Sequence, residues 1–164
     1  MKIISRPEEK IKIQKAFDKL LKDPKAIFAA WANRQLMDLY GRAQLERWQS
    51  KGVSEGHTWA PLNPGYAKWK RKRFVASPGG GRKMLIATGN LLAGVLPPNK
   101  RPFGPPAGEH FRKVISNATV KISTTVEYAD DVDQDRVFTK FSSATIKEWR
   151  DSWETTLLKG MKIK

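Results

Sequence analysis

The sequence predicts an α+β protein: two N-terminal helices, a long Gly/Pro-rich loop region, a small antiparallel sheet and a C-terminal helix. Three observations carry that reading. Apolar residues recur at helical spacing before residue 51 and again after residue 143. Near residues 120–127, β-branched residues alternate with polar ones. Between these parts lie Pro78-Gly79-Gly80-Gly81, Pro97-Pro98 and Pro105-Pro106, which break regular structure. The 164 residues suit one domain over 1–164 with a core of its own. Its parts are helical (5–51), an extended basic loop region (52–112), and strands with a C-terminal helix (113–160).

The first helix is expected over 5–22. Ser5 and Glu8 have capping-box spacing, Pro7 is tolerated in a first turn, and Ile13, Phe17, Leu20 and Leu21 share a face. Lys10, Lys12, Lys15, Lys19 and Lys22 fall mostly on the rest and read as a solvated face. Asp23-Pro24 ends that helix and starts a second, with Asp23 as N-cap and Pro24 at the first helical position. The second helix runs over roughly 24–51 on a stripe of Phe28, Trp31, Leu36, Leu39, Tyr40 and Ala43. Gly41 weakens it by about 1 kcal/mol, and Gly52 is the expected stop. A helix of that length spans roughly 40 Å, more than a small domain needs, so part of it is expected to face a neighbouring subunit.

Residues 52–112 are expected to hold little regular structure beyond a short helix from Pro64 to Arg73 and a short apolar element from Met84 to Val95. Val114, Ile115, Val120, Ile122 and Val126 then predict strands around a turn at Asn117-Ala118. An acidic loop is expected over 127–135, and Arg136 to Phe141 reads as a further short extended piece. Ser142 or Ser143 caps a final helix to about Leu158, with Ile146, Trp149, Trp153, Leu157 and Leu158 on one stripe.

Charge is the dominant compositional feature. The formal net charge is +15, which favours acidic partners: nucleic acid, an anionic membrane or an acidic protein face. It is unevenly placed. Lys68 to Lys83 holds seven basic residues and no acidic one; Glu127 to Asp135 holds five acidic residues and no basic one. The two blocks are able to pair within a chain or between copies. Cys is absent, which removes disulfides, thiol nucleophiles and Cys-ligated zinc, and fits a reducing cytoplasm. The first residues carry charge where a signal peptide has its apolar stretch, and no apolar run approaches the ~20 residues of a membrane-spanning helix.

Catalytic patterns are missing. His57 and His110 both lie in Gly/Pro-rich loops without HExxH-type spacing. Gly79-Gly80-Gly81-Arg82-Lys83-Met84 lacks the frame of a phosphate-binding loop, and Thr88-Gly89-Asn90-Leu91 lacks that of a nucleophile elbow. The acidic stretch has no EF-hand frame. The expectation is a non-enzymatic protein with no cofactor, no catalytic residue and no metal site. The strongest chemical signal is Lys68-Trp69-Lys70-Arg71-Lys72-Arg73, joined by Arg82 and Lys83. Basic groups with an interleaved aromatic contact phosphates and stack on bases; the same residues suit an acidic protein surface or plain solvation. A protein partner is favoured, since no helix-turn-helix, zinc finger or RNP motif accompanies them. Of six tryptophans, Trp31, Trp149 and Trp153 sit on helical stripes and read as core, whereas Trp48, Trp59 and Trp69 lie near the loop region. Interface and local core are equally open for Trp59.

Residues 56–91 also carry a spaced constellation: Gly56, Trp59, Pro61, Leu62, Tyr66 and Lys68, then Leu85, Thr88, Gly89 and Leu91. Downstream come Val126, Tyr128 and Ala129, then Arg136 and Phe138, then the final helix. Over about 55–160 this order resembles the virion-morphogenesis (tail-completion) proteins of Mu-like and related tailed phages. It departs from them in placing Asp130, Asp131, Asp133, Gln134 and Asp135 where members often have a His and a Gly. The resemblance implies a structural virion protein at the head–tail junction or the head-proximal end of the tail, assembled in the bacterial cytoplasm. It implies rings, commonly hexamers, that meet portal-side connector or adaptor proteins and tail tube proteins. The cationic loop would contact the acidic patch of Glu127, Asp130, Asp131, Asp133 and Asp135 on a neighbouring copy, or an acidic portal-side face. A basic DNA-binding accessory protein, making non-specific DNA contacts, is the competing reading.

Overall fold

The computed structural model describes residues 23–76, 90–102, 110–116 and 118–161, and the architecture is α+β. The expected helix over 5–22, Arg82 and Lys83, and residues 84–89 of the expected apolar element lie outside the described residues.

The second helix forms as the sequence predicts. Asp23 caps α1 (Pro24–Trp31) through its side chain, which accepts from the Ala26 N–H at 2.8 Å, and Pro24 occupies the first turn. The helix continues through a π-helical turn (Ala32–Leu36) into α2 (Met37–Ser50). The wider turn places Trp31 and Ala32 on the same buried side as Leu36 and Met37, five residues on, while Asn33, Arg34 and Gln35 stay exposed. The end is set by Lys51 in the left-handed conformation (φ 54) and then Gly52 (φ 86), whose N–H returns to the Arg47 carbonyl at 2.8 Å. Gly52 is required twice over: a Cβ there would also fall 2.8 Å from the Trp59 indole.

A 3-10 turn (Val53–Glu55) leads to α3 (Pro64–Arg73), whose bounds match the expectation. Asn63 caps it, accepting from the Gly65 N–H at 2.9 Å. Helix α4 (Asn90–Val95) is buried almost throughout. Strands β1 (Phe111–Ser116) and β2 (Thr119–Thr124) pair antiparallel with Phe111 opposite Thr124 and Ser116 opposite Thr119, around Ala118 at φ 60. Phe111, Ile115, Val120 and Ile122 face Trp31, Leu36 and Met37, with Trp149 and Trp153 of the last helix closing that core. A second core gathers Trp48, Trp59, Leu91, Leu92, Leu96, Val126, Ala129 and Phe138. Gly94 lets α4 lie against β2, because a Cβ there would collide with the Thr124 hydroxyl.

Two expectations are corrected. The acidic stretch is not a loop but helix α5 (Ala129–Asp135): Ala129 is buried and Val132 packs against the second core, and Asp130 and Asp131 lie in the first turn, where the helix dipole favours negative charge. Arg136 to Phe141 joins no sheet among the described residues; side chains hold its backbone instead. The last helix, α6 (Ser143–Met161), starts at the expected cap, with the Ser142 hydroxyl accepting from the Thr145 N–H at 3.2 Å. Its stripe is only partly covered, for Ile146 and Leu158 are 45% and 60% exposed.

Candidate functional site

Two charged regions lie within this frame, and they differ in where their charge is directed. The first is internal. Arg47 on α2 is fully buried, with its guanidinium 4.4 Å over the Phe141 ring and 3.8 Å from the Glu55 carboxylate. It donates to the carbonyls of Phe138 and Lys140, and Gln44 donates to the Phe138 carbonyl as well, at 3.0 Å. Glu55 in turn accepts from the Ser142 N–H at 2.7 Å and from the Thr145 hydroxyl at 2.9 Å. A carboxylate thus sits at the N-terminus of α6, where orphan N–H groups and the helix dipole attract it. Desolvation lowers the Arg47 pKa, opposed by the charge of Glu55. Asp133 of α5 completes the set by accepting from the Phe138 and Thr139 N–H groups at 2.6 and 3.1 Å. Trp59 adds its indole N–H to the Val137 carbonyl at 3.1 Å. Most of these contacts pin the segment 137–142, which joins no sheet among the described residues. The arrangement holds a chain in place.

The second region faces outward. Helix α3 carries Lys68, Trp69, Arg71, Lys72 and Arg73, all exposed. Tyr66 and Trp69, one turn apart, stack with centroids 5.5 Å apart, and Phe74 meets Trp69 edge-on at 5.6 Å. Trp69 remains 51% exposed and Tyr66 47%. Among the described residues, Arg71 bonds locally, to the Ala67 carbonyl at 3.2 Å. No acidic residue occurs in the sequence between Glu55 and Glu109, so nothing along this stretch offsets the charge.

Two members of the expected partner-facing set move inside. Trp59 is 4% exposed, packed edge-on against Trp48 at 5.3 Å in the second core, so it is an anchor of the fold and not a contact surface. Lys70 is 1% exposed; burial first, then the positive charge of Arg136, holds its ammonium below the ordinary lysine range. In the acidic set, Glu127, Asp130 and Asp131 are exposed, whereas Asp133 is occupied by the 138–139 backbone. Asp135 ends α5. Arg71, Lys72 and Arg73 make no salt bridge to Asp130 or Asp131 among the described residues, so the two blocks do not neutralise each other within the chain through these groups.

Sequence reasoning missed the Arg47–Glu55 pair. Both residues are charged and sit where a solvated surface is the ordinary expectation; only the tertiary fold brings 47, 55 and 138–145 together. Among the described residues, no group of three or more His, Asp or Glu side chains is placed to hold a metal, and no helix is long and apolar enough to cross a membrane. His110 lies against the Thr125 hydroxyl at 3.2 Å, and the backbone N–H of half-buried His57 donates to the Gly52 carbonyl at 3.0 Å. No family model matches the chain, and neither curated proteins nor solved structures give a match.

Proposed function

We propose that this chain is a structural virion protein of a tailed bacteriophage, acting at the head–tail junction or the head-proximal end of the tail and assembling as a ring. The observation that carries the reading is the pair of unlike charged helices on one frame. Basic α3 and acidic α5 both turn charged side chains outward, which suits a heterologous contact in which one patch meets a different patch on the next copy. The resemblance to tail-completion proteins supplies the setting. Of its residues, Trp59 anchors the second core, Tyr66 and Lys68 stand on α3, and Leu91 is buried in α4; Leu85, Thr88 and Gly89 lie outside the described residues. The central side-chain network supports a scaffolding role, since it spends its polar groups on the fold itself.

Light scattering and sedimentation velocity on the purified chain test the proposal. A closed oligomer that dissociates as salt rises supports it; a monomer at all concentrations contradicts it. A second reading, a basic DNA-binding accessory protein, draws on one observation: the exposed Tyr66–Trp69 stack lies among lysines and arginines, as in single-strand binding surfaces. Salt titration of oligonucleotide binding separates the two. A monomer whose DNA affinity falls steeply with salt favours the second.

A further inference from the structure

The two stacked rings of α3 stand largely outside the fold. Tyr66 and Trp69 lie at 30° between planes, yet each keeps about half of its surface in solvent. Phe74 braces Trp69 edge-on, with the planes at 80°. Large aromatic rings are ordinarily buried or face a partner. Tyr66, Trp69 and Arg73 recur at i, i+3 and i+7 and so share one side of the helix; Lys72 lies one turn on from both Trp69 and Lys68. Among the described residues, Lys68, Lys72 and Arg73 form no salt bridge. One short helix therefore presents flat apolar faces with uncompensated cations beside them.

A single nucleic-acid strand offers what both features require. Its phosphates meet cations, and its unpaired bases expose their faces for stacking. A duplex offers the phosphates but keeps its base faces inside the stack, and an acidic protein face accounts for the cations alone. We propose that α3 binds single-stranded nucleic acid, with a base stacked on the Tyr66–Trp69 pair and the adjoining phosphates on Lys68, Lys72 and Arg73. The contacts from Tyr66 and Phe74 hold the indole in place before binding, so little side-chain freedom is lost when a base arrives. The inference rests on the second reading above and deepens it, naming the strand form and the side chains that select it. Ring assembly is compatible with it: Arg71, two residues on from Trp69, stands on the other side of the helix, where a neighbouring copy can engage it without covering the rings.

Anisotropy titrations of the full chain with labelled strands of about 12 nucleotides test it. Three ligands are compared: a strand without self-pairing, its duplex, and an abasic strand that keeps every phosphate and lacks the bases. The strands are used in deoxy and ribo form, and the tighter-bound form identifies the sugar. The wild type is expected to bind the single strand about tenfold more tightly than the abasic strand, the effect of one stacked base. Trp69→Ala is expected to lose that factor on the single strand while binding the abasic strand and the duplex as the wild type does; Trp69→Phe, which keeps a ring, should recover part of it. Lys68→Gln with Lys72→Gln should flatten the dependence of log affinity on log salt by about 1.4, at ~0.7 per phosphate contact on a single strand. Equal wild-type affinity for the single and abasic strands overturns the inference while leaving nucleic-acid binding standing. So does a Trp69→Ala variant that still tells the two apart, or an unchanged salt slope in the double lysine variant. No binding of any strand at low salt overturns the second reading and the inference together, and leaves ring assembly untouched.

Discussion

Arg47 and Arg71 place the same guanidinium in opposite settings. Arg47 is fully buried, stacked on Phe141 and paired with Glu55, with its donors on the 138 and 140 carbonyls. Arg71 is exposed on α3, one of a row of cations, and bonds to the Ala67 carbonyl of its own helix. In a protein of net charge +15 these are two separate uses of charge. The internal pair substitutes for a sheet: it satisfies the backbone of a segment that has no strand partner. The external row adds little to the fold, because exposed charges in water interact weakly, and is free to steer and orient a partner.

The largest effect should come from breaking the internal pair. Glu55→Ala strips Arg47 of its counter-ion and α6 of its N-terminal carboxylate, and is expected to destabilise the protein by about 3–5 kcal/mol, read as a fall in the urea midpoint. Adding Arg47→Met should recover part of that loss by removing the uncompensated charge, though the 138 and 140 carbonyls remain unserved. A loss well under 1 kcal/mol for Glu55→Ala would mean that the pair is incidental to the fold.

Tyr40 gives a sharper probe of the same interior. Burial pushes its phenol up to about 12, against a lowering by the Gln44 hydrogen bond and the charge of Arg47. The unfolded chain loses this proton near pH 10 while the folded chain retains it, so stability falls as pH rises from about 10 to 12, by up to about 2–3 kcal/mol. Tyr40→Phe should remove that part of the alkaline limb in urea titrations; an unchanged limb would show that the phenol is not protected by burial.

Asp23 stands between the two modes, an exposed charge with a local task. Asp23→Ala removes the side-chain cap on Ala26 and is expected to cost about 1 kcal/mol, while Asp23→Asn should retain most of it. At the small end of the scale for folding lies the outward row. Arg71→Glu with Arg73→Glu should leave the urea midpoint where it is and act on association alone.

The same division explains what the sequence discloses. Local signals are legible: Asp23-Pro24 opens α1, Pro64 opens α3, Ala118 stands at the turn before Thr119, and Ser142 starts α6, each because a cap or turn is written within a few residues. The interior is not. Helix α5 hides behind four aspartates because what stabilises it is the burial of Ala129 and Val132, a tertiary effect that outweighs composition. Trp59 reads equally as core or interface until Trp48 and Val137 are brought to it from distant positions. Of the candidate surface, Lys68, Trp69, Arg71, Lys72 and Arg73 are exposed on α3, whereas Lys70 of the same helix and Trp59 are turned inward, and Arg82 and Lys83 lie outside the described residues.

The most direct measurement is the mass of the particle in solution: sedimentation velocity of the wild-type chain beside Arg71→Glu/Arg73→Glu across concentration and salt. Predicted are a closed oligomer for the wild type and a folded monomer, with an unaltered urea midpoint, for the variant. An oligomer that survives the charge reversal, or a wild-type monomer that binds oligonucleotides with steep salt dependence, would contradict the assignment of the outward charge to assembly.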